Sequence, residues 1–356
     1  MVQTNFSMIY KHLLKPYLFR QDAETAHEWA INFSSATHNS IFLQFLARLL
    51  YSGSDKGLEQ TLMGLKFPNP IGLAAGFDKN GRTPNAMAAL GFGFLEVGSI
   101  TAVPSAGNPK PRAFRLAEDE SLINRMGLNN EGAQVITKRL STISTQIPLG
   151  VNIAKTNDAS IHGDAAIQDY LYSYELAKDV ADYITVNISC PNTGEGKTFE
   201  DPAALSDLLT ALDLKNSAIP TLVKFSVDTD KVTLQSLVEL CEDLHVDGYV
   251  ATNTSSNRTG LNTSEKQLAQ IGNGGLSGAA ISNRSTEIVS WIYDVLKGSK
   301  PIIGVGGINS PDQALAKFAA GANLIQIYTG LIYEGPSLIK RLKTAIRSAD
   351  ITGLGR

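Results

Sequence analysis

The chain has 356 residues, of which 43% are hydrophobic and 18% charged, with 31 glycines and a net charge of −3. That balance excludes a disordered or fibrous chain, and without a basic excess general nucleic-acid binding is not expected. Two cysteines, Cys190 and Cys241, cannot build a disulfide framework and suit a reducing compartment, while no apolar run approaches the roughly 18 residues of a transmembrane helix.

Lys11 and His12 interrupt the N-terminal apolar stretch, so a cleaved secretory signal is not expected. In residues 1–60, Phe6, Ile9, Tyr10, Leu13 and Leu14 fall on one helical face, and Pro16 interrupts the pattern. Asp22 is placed to cap a second helix with Ala26, Trp29, Ala30 and Phe33 on one side. Ser40 is placed to cap a third, Ile41 to Tyr51, whose only charge is Arg48. Such a region either packs as a helical cap or turns part of its apolar surface to a membrane, by insertion rather than by charge.

From residue 61 to 356 the pattern changes. Eight short apolar runs recur: Pro70 to Ala74, Phe94 to Gly98, Pro148 to Ile153, Tyr183 to Ile188, Thr221 to Phe225, Gly248 to Thr252, Pro301 to Val305 and Asn323 to Tyr328. Continuous hydrophobicity marks strands covered on both faces, and helical spacing fills segments such as Tyr170 to Ala181 and Thr286 to Leu296. Eight strand-then-helix repeats predict a closed (β/α)8 TIM barrel of the α/β class, which takes about 250 residues and leaves about a hundred for the helical extension and long loops. The longest gaps, Gly98 to Pro148 and Thr252 to Pro301, follow strand ends, where barrel enzymes carry their active-site loops.

Chemistry-bearing residues gather at those ends. Gly304 to Ile308 and Tyr328 to Gly330 close the last two strands, where glycine-rich turns either serve as ordinary loops or let backbone N–H groups grip a phosphate. Asn187 to Gly194 sets amides around Cys190, a nucleophile or general base if tuned and otherwise a small buried residue. Asn124 to Asn130 and Thr252 to Thr254 add further amides, which together suit a neutral, hydrogen-bond-rich ligand. Lys79 follows the first strand, and Lys224 stands inside the apolar fifth, needing an ion pair or an anionic partner such as a reduced flavin. The five histidines show no metal-ligand spacing and there is no G-x-S-x-G elbow, so neither a metal nor a serine triad is expected.

The stretches GLAAGFDKNG (72–81), NPKPRAFRL (108–116), INRMGLNN (123–130), VNISCPNTG (186–194), ATNTS (251–255), GGLSG (274–278), IIGVGGI (302–308) and QIYTG (326–330) resemble the dihydroorotate dehydrogenase family. The likeness is to its class 2, quinone-reducing, membrane-associated branch, and DAETAH (22–27) resembles that branch's quinone-tunnel helix. The resemblance implies FMN-dependent oxidation of dihydroorotate to orotate in pyrimidine synthesis, with quinone as acceptor, at the cytoplasmic face of the cell membrane as a peripheral protein. It implies FMN contacts from Ala75, Gly76, Ser99, Asn152, Asn187, Lys224, Thr252, Gly278, Gly307, Tyr328 and Thr329. Orotate would be held by Lys79, Asn124, Asn187, Asn192, Asn253 and Thr254, backed by Arg125, Met126, Gly127 and Leu128. His27, Arg115 and Tyr328 resemble positions near the quinone head group, and Cys190 takes the place of the catalytic base, with Lys224 stabilising the reduced flavin. One position departs: class 2 members normally carry serine where Cys190 stands, and cysteine is typical of the soluble class 1, whose acceptors are fumarate or NAD. The N-terminal helices, which class 1 lacks, favour quinone. A non-catalytic phosphate-binding barrel is the remaining alternative.

Overall fold

In the computed structural model, residues 10–38, 40–189 and 199–349 are described. Its strands are β1 (Gln60–Leu62), β2 (Leu65–Phe67), β3 (Ile71–Leu73), β4 (Phe94–Ile100), β5 (Ala113–Leu116), β6 (Ser121–Asn124) and β7 (Leu149–Ile153), then β8 (Tyr183–Asn187), β9 (Thr221–Phe225), β10 (Gly248–Ala251), β11 (Gly275–Gly278), β12 (Ile302–Val305) and β13 (Leu324–Ile327). All eight apolar runs become the parallel strands of one closed barrel, in the order β3, β4, β7, β8, β9, β10, β12, β13 and back to β3. Each is buried along its whole length because helices cover the outside and side chains fill the inside.

Large and small residues alternate across the interior. Phe94, Tyr183, Leu222, Val250, Ile303 and Leu324 form one buried cluster. The Tyr183 ring lies over Gly150, where an added Cβ would stand 2.1 Å from it. The β1–β2 hairpin sends Phe67 against Phe94, centroids 5.4 Å apart and edge to face, and so stoppers the barrel at its amino end. The opposite end is left for the site.

The N-terminal helices are α1 (Lys15–Phe19), α2 (Ala23–Thr37) and α3 (Ile41–Ala47). Asp22 accepts from the Thr25 amide at 2.9 Å and Ser40 from the Leu43 amide at 3.3 Å, so both expected caps form. Two details differ from the sequence expectation. Pro16 does not stop the first helix, because Tyr10–Leu14 forms a wider π turn and the proline then occupies the first turn of α1, where a missing N–H costs little. The third helix is α-helical only to Ala47 and continues to Ser52 as a second π turn. Phe6 and Ile9 lie outside the described residues.

The two long strand-end segments carry structure of their own. β5, β6 and β11 form a three-stranded antiparallel sheet in which Ala113 and Gly275 flank Asn124, over a small core of Leu116, Ile123, Leu276 and Ile281. This sheet holds the Asn124 segment over the barrel mouth.

Candidate active site

Parallel strands place all their carboxyl ends at one face, so residues far apart in sequence meet there. A cavity opens at that face between the barrel, the three-stranded sheet and α2. Of the residues expected around a substrate, Lys79, Asn124, Met126, Gly127, Leu128, Asn187, Asn253 and Thr254 line it. Of those expected around a cofactor, Ala75, Gly76, Ser99, Lys224, Thr252, Gly278, Gly307, Tyr328 and Thr329 line it as well. Cys190 and Asn192 lie outside the described residues.

Three expected residues stand elsewhere. Arg125 alternates with Asn124 along the strand end, so its guanidinium turns outward, donating to the Pro111 and Asn273 carbonyls at 3.1 and 3.2 Å and to that of Ile271, above the Phe114 ring. It clamps the loops around the sheet. Asn152 is fully buried behind the cavity wall and accepts from the Ser99 hydroxyl. Arg115 lies over the Phe19 ring and donates to the Leu18 carbonyl at 2.9 Å and to that of Gln21, tying the turn after α1 to β5.

The polar wall is built of interlocked amides. Asn253 Nδ2 donates to Asn187 Oδ1 at 3.1 Å and to the Ser189 carbonyl at 3.1 Å, while its own oxygen accepts from the Thr254 amide at 2.8 Å. Lys79 Nζ donates to the Gly76 carbonyl at 2.9 Å. Burial pushes this ammonium down to about 8, with Arg112 adding to the fall and Glu24 and Asp78 opposing it. The ammonium lines the cavity, placed to meet an anion.

The opposite wall is glycine-rich. At Gly307 φ is +71°, in the left-handed region, and an added Cβ would stand 2.4 Å from the Ser282 backbone, so only glycine fits. Gly278, Gly306 and Thr329 face the same space, and the Thr329 hydroxyl pairs with Ser277 at 2.9 Å.

Toward the N-terminal helices the cavity ends in aromatic rings. His27 meets Phe77 at 5.0 Å, edge to face, and Tyr328 at 6.1 Å, while Phe77 and Tyr328 lie 5.5 Å apart. Burial, then the Lys79 charge, brings His27 down to about 3, so its imidazole is neutral. A second opening lies beyond, and Glu24, His27, Lys79 and Met126 line both.

A family comparison agrees with this geometry. The sequence model described as Dihydroorotate dehydrogenase matches residues 57–349. The chain belongs to the dihydroorotate dehydrogenase family. It is 43% identical over 334 residues to the Dihydroorotate dehydrogenase (quinone) of Natronomonas pharaonis, covering 94% of this chain and 93% of that one. It is 42% identical to the protein of the same name from Chloroflexus aurantiacus, covering 96% of each. Among solved structures, ligand-free DHODH from Eimeria tenella superposes with a TM-score of 0.82 at 30% identity, covering 94% of this chain and 97% of that one. Members of this family are flavin-dependent oxidoreductases, which fits a deep cavity lined by amides, a lysine and a glycine-rich turn.

Within the family framework, Glu24 is a site residue that the sequence reading passed over. It is 4% exposed, lines the cavity and pairs with Arg112, itself 6% exposed, through contacts of 2.8, 3.1 and 3.2 Å. Burial raises the Glu24 carboxyl, but Arg112 and Lys110 outweigh it and leave it below the usual carboxylate range. Arg112 also donates to the Ala106 and Asn108 carbonyls, at 2.7 and 2.9 Å, and so fastens α2 to the loop beside the cavity. Replacing Arg112 with methionine leaves the buried Glu24 carboxylate with only the exposed Lys110 ammonium at 3.3 Å, and stability falls by up to about 3–5 kcal/mol. Urea unfolding followed by tryptophan fluorescence measures this, and an unchanged midpoint would refute it. The signal for Glu24 in the sequence was only one of two glutamates, with Glu28, on a mixed polar and apolar helix, which ordinarily reads as a solvated face.

Proposed function

We propose that this protein oxidises dihydroorotate to orotate with FMN bound in the barrel mouth, and passes the electrons to a quinone that approaches from the N-terminal helices. The carrying observation is the convergence of a half-buried lysine, Lys79, with Asn124, Asn187 and Asn253 in one cavity. Lys79 supplies charge for the carboxylate of dihydroorotate. The amides supply donors and acceptors for its two ring carbonyls and N–H groups without adding charge.

The residues present suit FMN. The Gly306–Gly307 turn leaves backbone N–H groups approachable by a phosphate, and the Ala74 to Gly76 wall carries no long side chain to obstruct a flat ring. Gln326 borders the same cavity, and its buried Oε1 has no partner among the described residues, as expected of a group that meets a ligand N–H. Gly278, Gly307 and Thr329 would hold the phosphate, and Ala75, Gly76, Ser99, Asn187, Lys224, Thr252 and Tyr328 the ring system, with Asn152 acting from behind Ser99. When bound, FMN supplies the acceptor for the hydride that leaves C6 of dihydroorotate. Cys190, directly after Ser189, takes the proton from C5 as general base. Lys224 contributes positive charge to the electron-rich edge of the flavin, and the amide set holds the substrate ring in line.

For the acceptor side, the support is the exposed apolar surface of the N-terminal helices. Ile41 is 85% exposed, Phe33 73% and Phe42 71%, with Leu13, Phe45 and Leu49 beside them in character. No described helix is long and apolar enough to cross a membrane; the exposed apolar residues support peripheral contact, here proposed at the cytoplasmic face of the cell membrane. His27, Phe77 and Tyr328, which line the cavity openings beside α2, offer a quinone head group an aromatic, uncharged approach; Arg115 is engaged at the turn after α1. Dihydroorotate oxidation assayed with ubiquinone and menaquinone analogues, fumarate and NAD tests the reading, with phospholipid vesicles added in a parallel series. Turnover with quinone, enhanced by vesicles, is expected; turnover with fumarate or NAD alone would refute the acceptor assignment.

A further inference from the structure

Glu96 is a carboxylate inside the barrel, 1% exposed, on the third position of β4. It accepts from Asn152 Nδ2 at 2.8 Å, from Gln326 Nε2 at 2.7 Å and from the Tyr183 hydroxyl at 3.3 Å. We propose that Glu96 is a positioning residue whose carboxylate sets the direction of a hydrogen-bond relay and thereby decides which polar atoms Asn187 and Gln326 present to the cavity.

The argument rests on what each group can do. An amide side chain has a donating and an accepting end of nearly equal shape, so packing alone does not orient it, whereas both Glu96 oxygens here act as acceptors. Asn152 must therefore point its nitrogen at Glu96, and its oxygen is left to accept the Ser99 hydroxyl proton. Ser99, its proton spent, accepts from Asn187 Nδ2 at 3.2 Å. The Asn187 oxygen then accepts from Asn253 Nδ2 at 3.1 Å. One Asn187 N–H remains without a partner among the described residues, and Asn187 lines the cavity. On the other side, Gln326 spends its nitrogen on Glu96 and leaves Oε1 as the buried acceptor already noted. The cavity thus offers a fixed donor and a fixed acceptor, which complement a heterocycle edge carrying both C=O and N–H, such as the pyrimidine part of a flavin. This inference rests on the FMN reading above.

The test compares the parent, Glu96→Gln and the swap Glu96→Gln/Asn152→Asp as apoproteins, titrated with FMN by flavin fluorescence and absorbance. Glutamine at position 96 can also donate, so the relay loses its single direction. The Kd for FMN rises roughly tenfold or more, as for the loss of a well-placed hydrogen bond, and the flavin absorption bands shift. In the swap, the aspartate introduced at 152 accepts from the new glutamine and from Ser99, the glutamine oxygen accepts from Gln326, and net charge is unchanged. Only the bond between positions 96 and 152 reverses; the bonds leading outward, from Ser99 to 152 and from Gln326 to 96, keep their direction, and Kd and spectrum return to within about threefold of the parent. A Glu96→Gln protein that binds FMN like the parent, or a swap no better than the single variant, overturns the proposal. If Glu96→Gln does not fold, the swap decides alone: folded and FMN-binding supports the relay, unfolded refutes it. A parent that takes up no FMN would instead sink the proposed function.

Discussion

Replacing Lys79 with alanine lowers kcat/KM for dihydroorotate by roughly 10²–10⁴-fold, because an anionic substrate group is then buried without its cation. Most of the loss falls on KM, since Lys79 binds charge that the substrate carries throughout the reaction. The same residue fixes a pH dependence. Burial holds the free ammonium at about 8, so the anion-binding form predominates below that pH and is lost above it. A bound carboxylate favours the charged form, so the apparent value rises in the complex. KM is therefore flat below about pH 8 and climbs up to tenfold per unit above it, while kcat, read from the complex, bends later. A KM that stays level to pH 10, or an alanine variant within threefold of the parent, would remove Lys79 from the substrate site.

Cys190→Ala removes the proposed base, and kcat falls by roughly 10²–10⁴-fold with FMN still bound. Cys190→Ser tests the chemistry more finely. A thiol begins near pKa 8.5, far below a serine hydroxyl, so the thiol enzyme keeps activity to lower pH and the serine variant shifts the rising limb of its pH–rate profile upward. Stopped-flow reduction of the bound flavin by dihydroorotate isolates this half-reaction from quinone turnover. Overlaying profiles for parent and serine variant would exclude proton removal by the thiol as the pH-governing step.

The barrel was legible because a strand covered on both faces has no polar side to show, and eight uninterrupted apolar runs are a strong signal. The site was largely legible for a related reason: once the runs are parallel strands, Lys79, Asn187, Asn253 and Thr329 must meet at their common end. What escaped was of two kinds. The strands β5, β6 and β11 are four residues each and sit within long loops, where periodicity has too few residues to register. Glu96 and Gln326 carried a signal that went unused. A polar residue inside an apolar strand must find a partner, which was the reasoning applied to Lys224 on β9 and applies equally to FLEVGSI and LIQI.

By itself the sequence determined the barrel, the capped helices before it, and the set of amides, lysines and glycines at the strand ends, because these follow from local periodicity and from a topology that admits one handedness. Only the tertiary structure decided which way neighbouring side chains face and which distant groups share a charge. Asn124 turns inward and Arg125 outward across one peptide; Glu24 reaches Arg112 across 88 positions; Glu96 meets Gln326 across 230. Such pairings are fixed by burial, where an unpaired polar group is too costly to leave, and no pattern confined to neighbouring residues encodes them.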